Sequence, residues 1–198
     1  MRRLSHKCYL PKRERCDWFL ESVYGIFLVG GVIFMRDKSS SRFMAQGAVI
    51  AAIYVVLTVV FAPFSFKEIQ VRVAEALTVL PVFTPAAVPG LFLGCLVANI
   101  FGGAPLPDVV FGSLATLLGA VGTRLLRQRR PALALVPPIV ANMLIVPLIL
   151  RYAYGVPLPI PVMMATVGVG ELISCGGLGL LLYKALSVHR GGFFKDNI

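Results

Sequence analysis

Charge is scarce in this sequence: Asp, Glu, Lys and Arg make up 14% of its 198 residues, and only nine are acidic. An ordinary soluble domain carries about a quarter charged residues, so a water-facing surface of normal size has too little material here. Also missing is any GxxxxGK[ST] phosphate loop, GxSxG elbow or HExxH motif, which removes the usual sequence signatures of nucleotide hydrolysis, serine-type acyl transfer and zinc hydrolysis. The two histidines, His6 and His189, sit in basic tails. Cys8, Cys16, Cys95 and Cys175 show no CxxC spacing, and the latter two lie in apolar runs where cysteine serves as a small hydrophobe. The sequence therefore predicts no enzyme, no metal, no cofactor and no disulfide framework.

Hydrophobic residues, in contrast, reach 58%, with a mean hydropathy of +0.84. That excess fits one membrane domain of about six spanning helices at roughly 20 residues each. The net charge of +10 comes from short basic clusters beside apolar runs, a pattern of topology signals rather than of a nucleic-acid-binding face. The expected fold class is thus an all-α integral membrane protein, a bundle of six transmembrane helices in contact with lipid.

Residues 43–66 contain no charge and form the first helix, ending near Pro63. The charge-free run 76–107 holds Pro81, Pro85 and Pro89, so it divides into a second helix over 72–83 and a third over 88–102. At 1.5 Å per residue the second reaches only about 18 Å and requires shielding by protein. A fourth helix runs from Asp108 to Arg124. The fifth, over 132–150, contains Pro137, Pro138 and Pro147, which predicts a kink or local unwinding. Extended backbone over 157–161 precedes a sixth helix that continues to Tyr183.

Ten basic residues (Arg36, Lys38, Arg42, Arg124, Arg127, Arg129, Arg130, Lys184, Arg190 and Lys195) fall on one side of this topology, against Lys67, Arg72 and Arg151 on the other. The positive-inside rule then places both ends of the six-helix unit in the cytoplasm of a multi-pass cell-membrane protein. Residues 1–41 fit badly. The apolar run 18–34 is broken by Glu21, and no small-residue cleavage site follows Phe34. The expectation is that translation starts at Met35 or Met44, with 42–188 the membrane domain and 189–198 a cytoplasmic tail.

Polar residues inside the apolar runs are the candidates for function, because a charge at the centre of an exposed span costs roughly 3 kcal/mol or more. Gln70, Arg72 and Glu75 open the second helix, Asn99 closes the third and Asp108 opens the fourth. Asn142 lies mid to outer in the fifth, and Glu171 is the sole charge of the sixth up to Tyr183. All belong to the outer half, leaving the inner half almost purely apolar, so a pocket opening outward is expected. Structural alternatives exist for most of them. Asp108 is a candidate helix cap, Arg72 a local partner of Glu75 or Glu68, and Asn99 and Asn142 candidate interhelical glue. Glu171 has no basic residue within a dozen positions on its helix. Small residues mark close packing: Gly47, Ala48, Ala51 and Ala52 in the first helix, and Gly90, Gly94 and Ala98 in the third. The fourth adds Gly112, Ala115, Gly119 and Gly122. The usual partner for such faces is another helix of the bundle, with another subunit as the alternative for the first helix.

Three ordered blocks carry a family resemblance: Ile69-Gln-Val-Arg-Val-Ala-Glu-Ala-Leu-Thr-Val-Leu-Pro81, Pro89-Gly-Leu-Phe-Leu-Gly-Cys-Leu-Val-Ala-Asn99 and Asp108-Val-Val-Phe-Gly-Ser-Leu-Ala-Thr-Leu-Leu118. Over residues 42–188 the chain resembles the QueT family, substrate-binding S-components of energy-coupling factor (ECF) transporters assigned to uptake of queuosine precursors. The resemblance implies an S-component-like six-helix fold that binds a 7-deazaguanine base from outside. It also implies a transmembrane coupling subunit and two ATPase subunits as partners, with Gly47, Ala48, Ala51 and Ala52 packing on the coupling subunit. Toppling of the subunit in the bilayer would carry its site inward. A guanine-like edge offers two adjacent N–H donors, for which Glu171 and Glu75 are the candidate carboxylates, and a carbonyl needing Asn99, Asn142, Gln70 or Arg72. Stacking would come from Phe64, Phe66 or Tyr154. The competing expectations are an S-component for another vitamin or nucleobase-like nutrient, a stand-alone transporter with Glu171 as proton carrier, and a structural or assembly protein.

Overall fold

A computed structural model describes residues 38–61 and 72–188, all within one compact unit, Arg36–Ile198. The expectations for the leader, for the 189–198 tail and for Gln70, Phe64 and Phe66 lie outside the described residues.

The described residues form helices joined by short loops, with no strand among them. Helix α1 is Lys38–Val60, α2 is Val73–Val82 and α3 is Ala87–Phe101. Helices α4, Asp108–Leu125, α5, Pro131–Tyr152, and α6, Ile160–Val188, complete the order. Four of these, α1, α4, α5 and α6, are long and apolar enough to cross a bilayer. The six expected helices are present, four long enough to cross a bilayer and two shorter and apolar, of which α2 is short as its sequence predicted. The short α2 is shielded as its length demands, with seven of its ten residues buried.

Helix α2 is a 3-10 helix over its whole length, which the sequence reading did not predict. Two local causes are visible: Pro81 donates no backbone hydrogen bond, and the Thr78 hydroxyl donates to the Glu75 carbonyl at 2.6 Å. In this geometry side chains three apart eclipse, so Glu75, Thr78 and Pro81 share one edge. Two π segments were also unforeseen. One forms the first turn of α4, Asp108–Gly112; the other is Leu172–Leu178 within α6, beginning directly after Glu171.

Helix α5 breaks just before Pro137, and its main rod runs on through Pro147. A turn over Pro131–Ala134 precedes the main rod Val136–Tyr152, with Pro137 and Pro138 in its opening turn. These prolines pack on the small face of α4, where a Cβ at Gly119 would stand 2.6 Å from Pro138 Cα. The extended segment before α6 ends at Pro159, earlier than expected, and Pro161 sits in the first turn, where its missing N–H does no harm. Helix α6 continues to Val188, beyond the predicted Tyr183.

Helices α1 and α3 meet along their small residues. A Cβ on Gly90 would lie 2.7 Å from the Gly47 carbonyl, and one on Gly94 would lie 2.9 Å from Tyr54 Cβ and 3.1 Å from Ala51 Cα. This assigns Gly47 and the Ala51 backbone to packing within the bundle. Only Ala48 and Ala52 of the four partner candidates are fully on the exposed face. Around this seam Tyr54, Val88, Leu91, Cys95 and Ala98 form the main buried cluster.

Candidate functional site

The polar residues singled out in the sequence converge at the end of the bundle where α2 and α4 begin and α3 and α5 finish. Asp108 is the hub there. Its Oδ2 accepts from the Tyr154 hydroxyl at 2.7 Å and from Arg72 Nη2 at 3.4 Å. Its backbone carbonyl accepts from Asn99 Nδ2 at 3.2 Å. Asp108 is thus an interhelical junction rather than the cap of its own helix, which has no side-chain cap. Arg72 likewise reaches across 36 positions to Asp108. Gly112 makes room for this arrangement, since a Cβ there would lie 2.6 Å from Asp108 Oδ1.

Tyr154 lies just past the end of α5, outside the spanning segments. Burial, then the Asp108 hydrogen bond and charge, raises its phenol well above the ordinary value. It therefore stays a donor to the carboxylate at every ordinary pH. This hydrogen bond uses the hydroxyl of Tyr154 and leaves the ring faces, for which stacking was expected, uncommitted.

A deeper layer centres on Glu75, which is fully buried. The Tyr54 hydroxyl donates to its Oε1 at 2.6 Å and Thr116 Oγ1 donates to the same oxygen at 3.3 Å. Thr116 and Asn99 both contact Cys95 Sγ. Asn142 Nδ2 donates to Glu171 Oε1 at 2.9 Å. Both glutamates are buried. Glu171 stands eleven residues into α6, roughly 16 Å from its start, where the α geometry gives way to π. Such widened turns recur at functional sites.

Six of the seven ligand candidates, Arg72, Glu75, Asn99, Asp108, Asn142 and Glu171, take part in side-chain hydrogen bonds or ion pairs of this network. Gln70 is outside the described residues. Tyr54, Thr116 and Cys95 were missed, because a tyrosine, a threonine and a cysteine inside apolar runs look like ordinary core positions.

The half of the bundle away from Asp108, expected to be almost purely apolar, also carries polar groups. Thr78 Oγ1 and Cys175 Sγ lie 2.9 Å apart, and Thr123 and Ser174 are fully buried. Arg124, assigned by sequence to a basic loop, is buried and donates to the Pro81 and Val82 carbonyls at 3.0 and 3.4 Å. It thereby satisfies the last carbonyls of α2. On the outside of the bundle an apolar groove of about 490 Å³ runs between α4 and α5, lined by Phe111, Leu114, Leu118, Ile145, Leu148 and Tyr152. It holds none of the polar side chains above.

A buried, multi-helix polar cluster in a bundle with four membrane-length helices suits a transporter. The QueT transporter family model matches residues 44–188. The chain belongs to the QueT transporter family. Neither the curated proteins nor the solved structures contain a match. Because the match covers nearly every described residue, the network from Tyr54 to Glu171 lies wholly within the QueT region.

Proposed function

We propose that this QueT-family membrane protein is the substrate-binding S-component for uptake of a queuosine precursor, a 7-deazaguanine base. A separate ECF coupling subunit and two ATPases supply the energy. The observation that carries the reading is the pairing of Glu171 with Asn142 in a buried cluster shared by most of the helices. A carboxylate beside an amide matches the ring edge of guanine-like bases, which presents two N–H donors next to a carbonyl. The basic-residue bias favours a cytoplasmic location for both ends of the helical unit, so the Asp108 end faces outward. Substrate then enters from outside, displacing the Asn142–Glu171 hydrogen bond and replacing it with bonds to the ring.

The exposed Ala48 and Ala52 face of α1 is the proposed contact for the coupling subunit. Small side chains there let a partner helix approach closely without a hydrophobic driving force.

The test is equilibrium binding of 7-deazaguanine bases to the detergent-purified chain. Submicromolar to micromolar binding that falls at least about tenfold in Glu171→Gln, a loss of roughly 1.4 kcal/mol, is the expected result. No binding, or equal binding by the variant, removes the reading. A stand-alone proton-coupled transporter is the second reading, favoured by the buried Glu171 Oε2, which has no hydrogen-bond partner among the described residues. Uptake that survives loss of the ATPases and collapses with an uncoupler would establish it.

A further inference from the structure

Helices α4 and α5 touch at one end and part at the other. Toward the Arg124 end of α4 they are in close contact, with a Cβ at Gly119 only 2.6 Å from Pro138 Cα. Toward the Asp108 end the apolar groove of about 490 Å³ opens between them. Phe111, Leu114 and Leu118 of α4 and Leu148 and Tyr152 of α5 form its exposed walls, and the buried Ile149 its floor.

The groove has the depth of one leaflet. It begins at Pro107, just before α4, and ends at Leu118, eleven residues that rise roughly 16 Å. Half of a hydrocarbon core about 30 Å thick is nearly the same length. Both flanking helices are long and apolar enough to cross a bilayer, so this face meets hydrocarbon rather than water. The groove is also narrow. Its volume of about 490 Å³ spread over roughly 16 Å leaves a cross-section of roughly 30 Å², whereas a helix about 10 Å across needs roughly 80 Å². A helix of another chain is therefore too thick to lie in it, while a single hydrocarbon chain is not.

Charge appears only at the mouth. Arg151, beside Tyr152 at the end of α5, is exposed and donates from Nη1 to the Val156 carbonyl at 3.2 Å. A guanidinium carries five N–H donors, so others remain to meet a phosphate. Arg72, the other described cation at this end, is buried against Asp108. Among the described residues Arg151 is thus the exposed cation at the level where lipid headgroups lie.

We infer that the groove is a binding site for a phospholipid of the leaflet on the Asp108 side, with one acyl chain between α4 and α5 and the phosphate on Arg151. The site is distinct from the buried polar cluster but adjoins it. Phe111 belongs to the π turn that starts at Asp108, and the lining residue Ala153 directly precedes Tyr154, whose hydroxyl holds Asp108. A seated chain braces from outside the two segments that carry this bond.

The test is native mass spectrometry of the purified full chain titrated with dioleoyl phosphatidylglycerol. One tightly retained lipid per chain is expected. Leu148→Trp, which fills the groove from an exposed position, should raise the Kd of that lipid at least about tenfold. Leu181→Trp, at an exposed position of α6 outside the groove, should leave it unchanged. Arg151→Gln should weaken binding about fivefold, the effect of one cation at a membrane surface. A wild-type chain that retains no lipid overturns the assignment, as does wild-type affinity in Leu148→Trp or Arg151→Gln, or equal weakening by Leu181→Trp. A wild-type dimer that Leu148→Trp converts to a monomer also overturns it and makes the groove an interface between copies. Should Leu148→Trp not fold, Leu114→Trp on the opposite wall takes its place.

Discussion

The Tyr54 hydroxyl donates to Glu75 Oε1 over 2.6 Å, and this bond joins α1 to the carboxylate network of the bundle. Tyr54 is among the largest fully buried side chains, so its hydroxyl cannot turn to water when the bond is lost. In Tyr54→Phe, Thr116 is the one donor left to that oxygen among the described residues. Loss of the buried bond should cost about 1–2 kcal/mol. A lowered thermal midpoint in detergent, with weaker ligand binding, is expected; an unchanged midpoint would show that the bond contributes nothing.

The α1–α3 seam makes a prediction with its own control. Gly90→Ala drives a methyl group to within 2.7 Å of the Gly47 backbone oxygen, and separating the two helices should cost about 1–3 kcal/mol. At Gly176 the nearest obstacle to a methyl group is a Leu172 side-chain carbon at 4.0 Å. Gly176→Ala should therefore be neutral or stabilising by up to about 1 kcal/mol. Unfolding of both variants in the same detergent checks the contrast, and equal midpoints would refute the seam.

Arg124 closes the far end of α2 through the Pro81 and Val82 carbonyls. Arg124→Met keeps much of the apolar stem but leaves those carbonyls without this donor, with an expected loss of about 1–3 kcal/mol. Arg124→Lys should restore part of it. Thermal midpoints ranked wild type, Lys, then Met would bear this out, whereas a Met variant as stable as wild type would mean the contact is ornamental to the fold.

Tyr154 offers a pH readout. Its phenol is raised by burial and by Asp108, so the folded state holds the proton more tightly than an unfolded chain does. The linked stability is present below the unfolded value of about 10 and falls as pH climbs beyond it. Asp108→Asn removes the charge and should bring the Tyr154 titration down toward its ordinary value. Tyrosinate absorbance in alkaline titrations, with Tyr154→Phe as the blank, measures this; no movement would mean that Asp108 does not act on the phenol.

Much of this architecture was legible because lipid permits so little. Charge-free runs bounded by prolines and basic clusters marked each helix to within a few residues, apart from α1, which starts at Lys38 rather than 43, and α6, which extends to Val188. Likewise Glu75, Asn142 and Glu171 had to face protein. The backbone forms were not legible, since the 3-10 geometry of α2 and the π turns beside Asp108 and Glu171 depend on packing from several helices. Nor was the inward use of Gly47, because a small-residue face looks the same whether its partner belongs to the same chain or another. Arg124 misled for a related reason: sequence proximity to Arg127 hid its burial against α2.

Four buried oxygens, one each on Glu75, Asn99, Asp108 and Glu171, have no hydrogen-bond partner among the described residues. A buried acceptor that gains a donor recovers about 1–3 kcal/mol. On the proposed function, a ligand that donates to these oxygens would raise the resistance of the bundle to unfolding with no change of backbone.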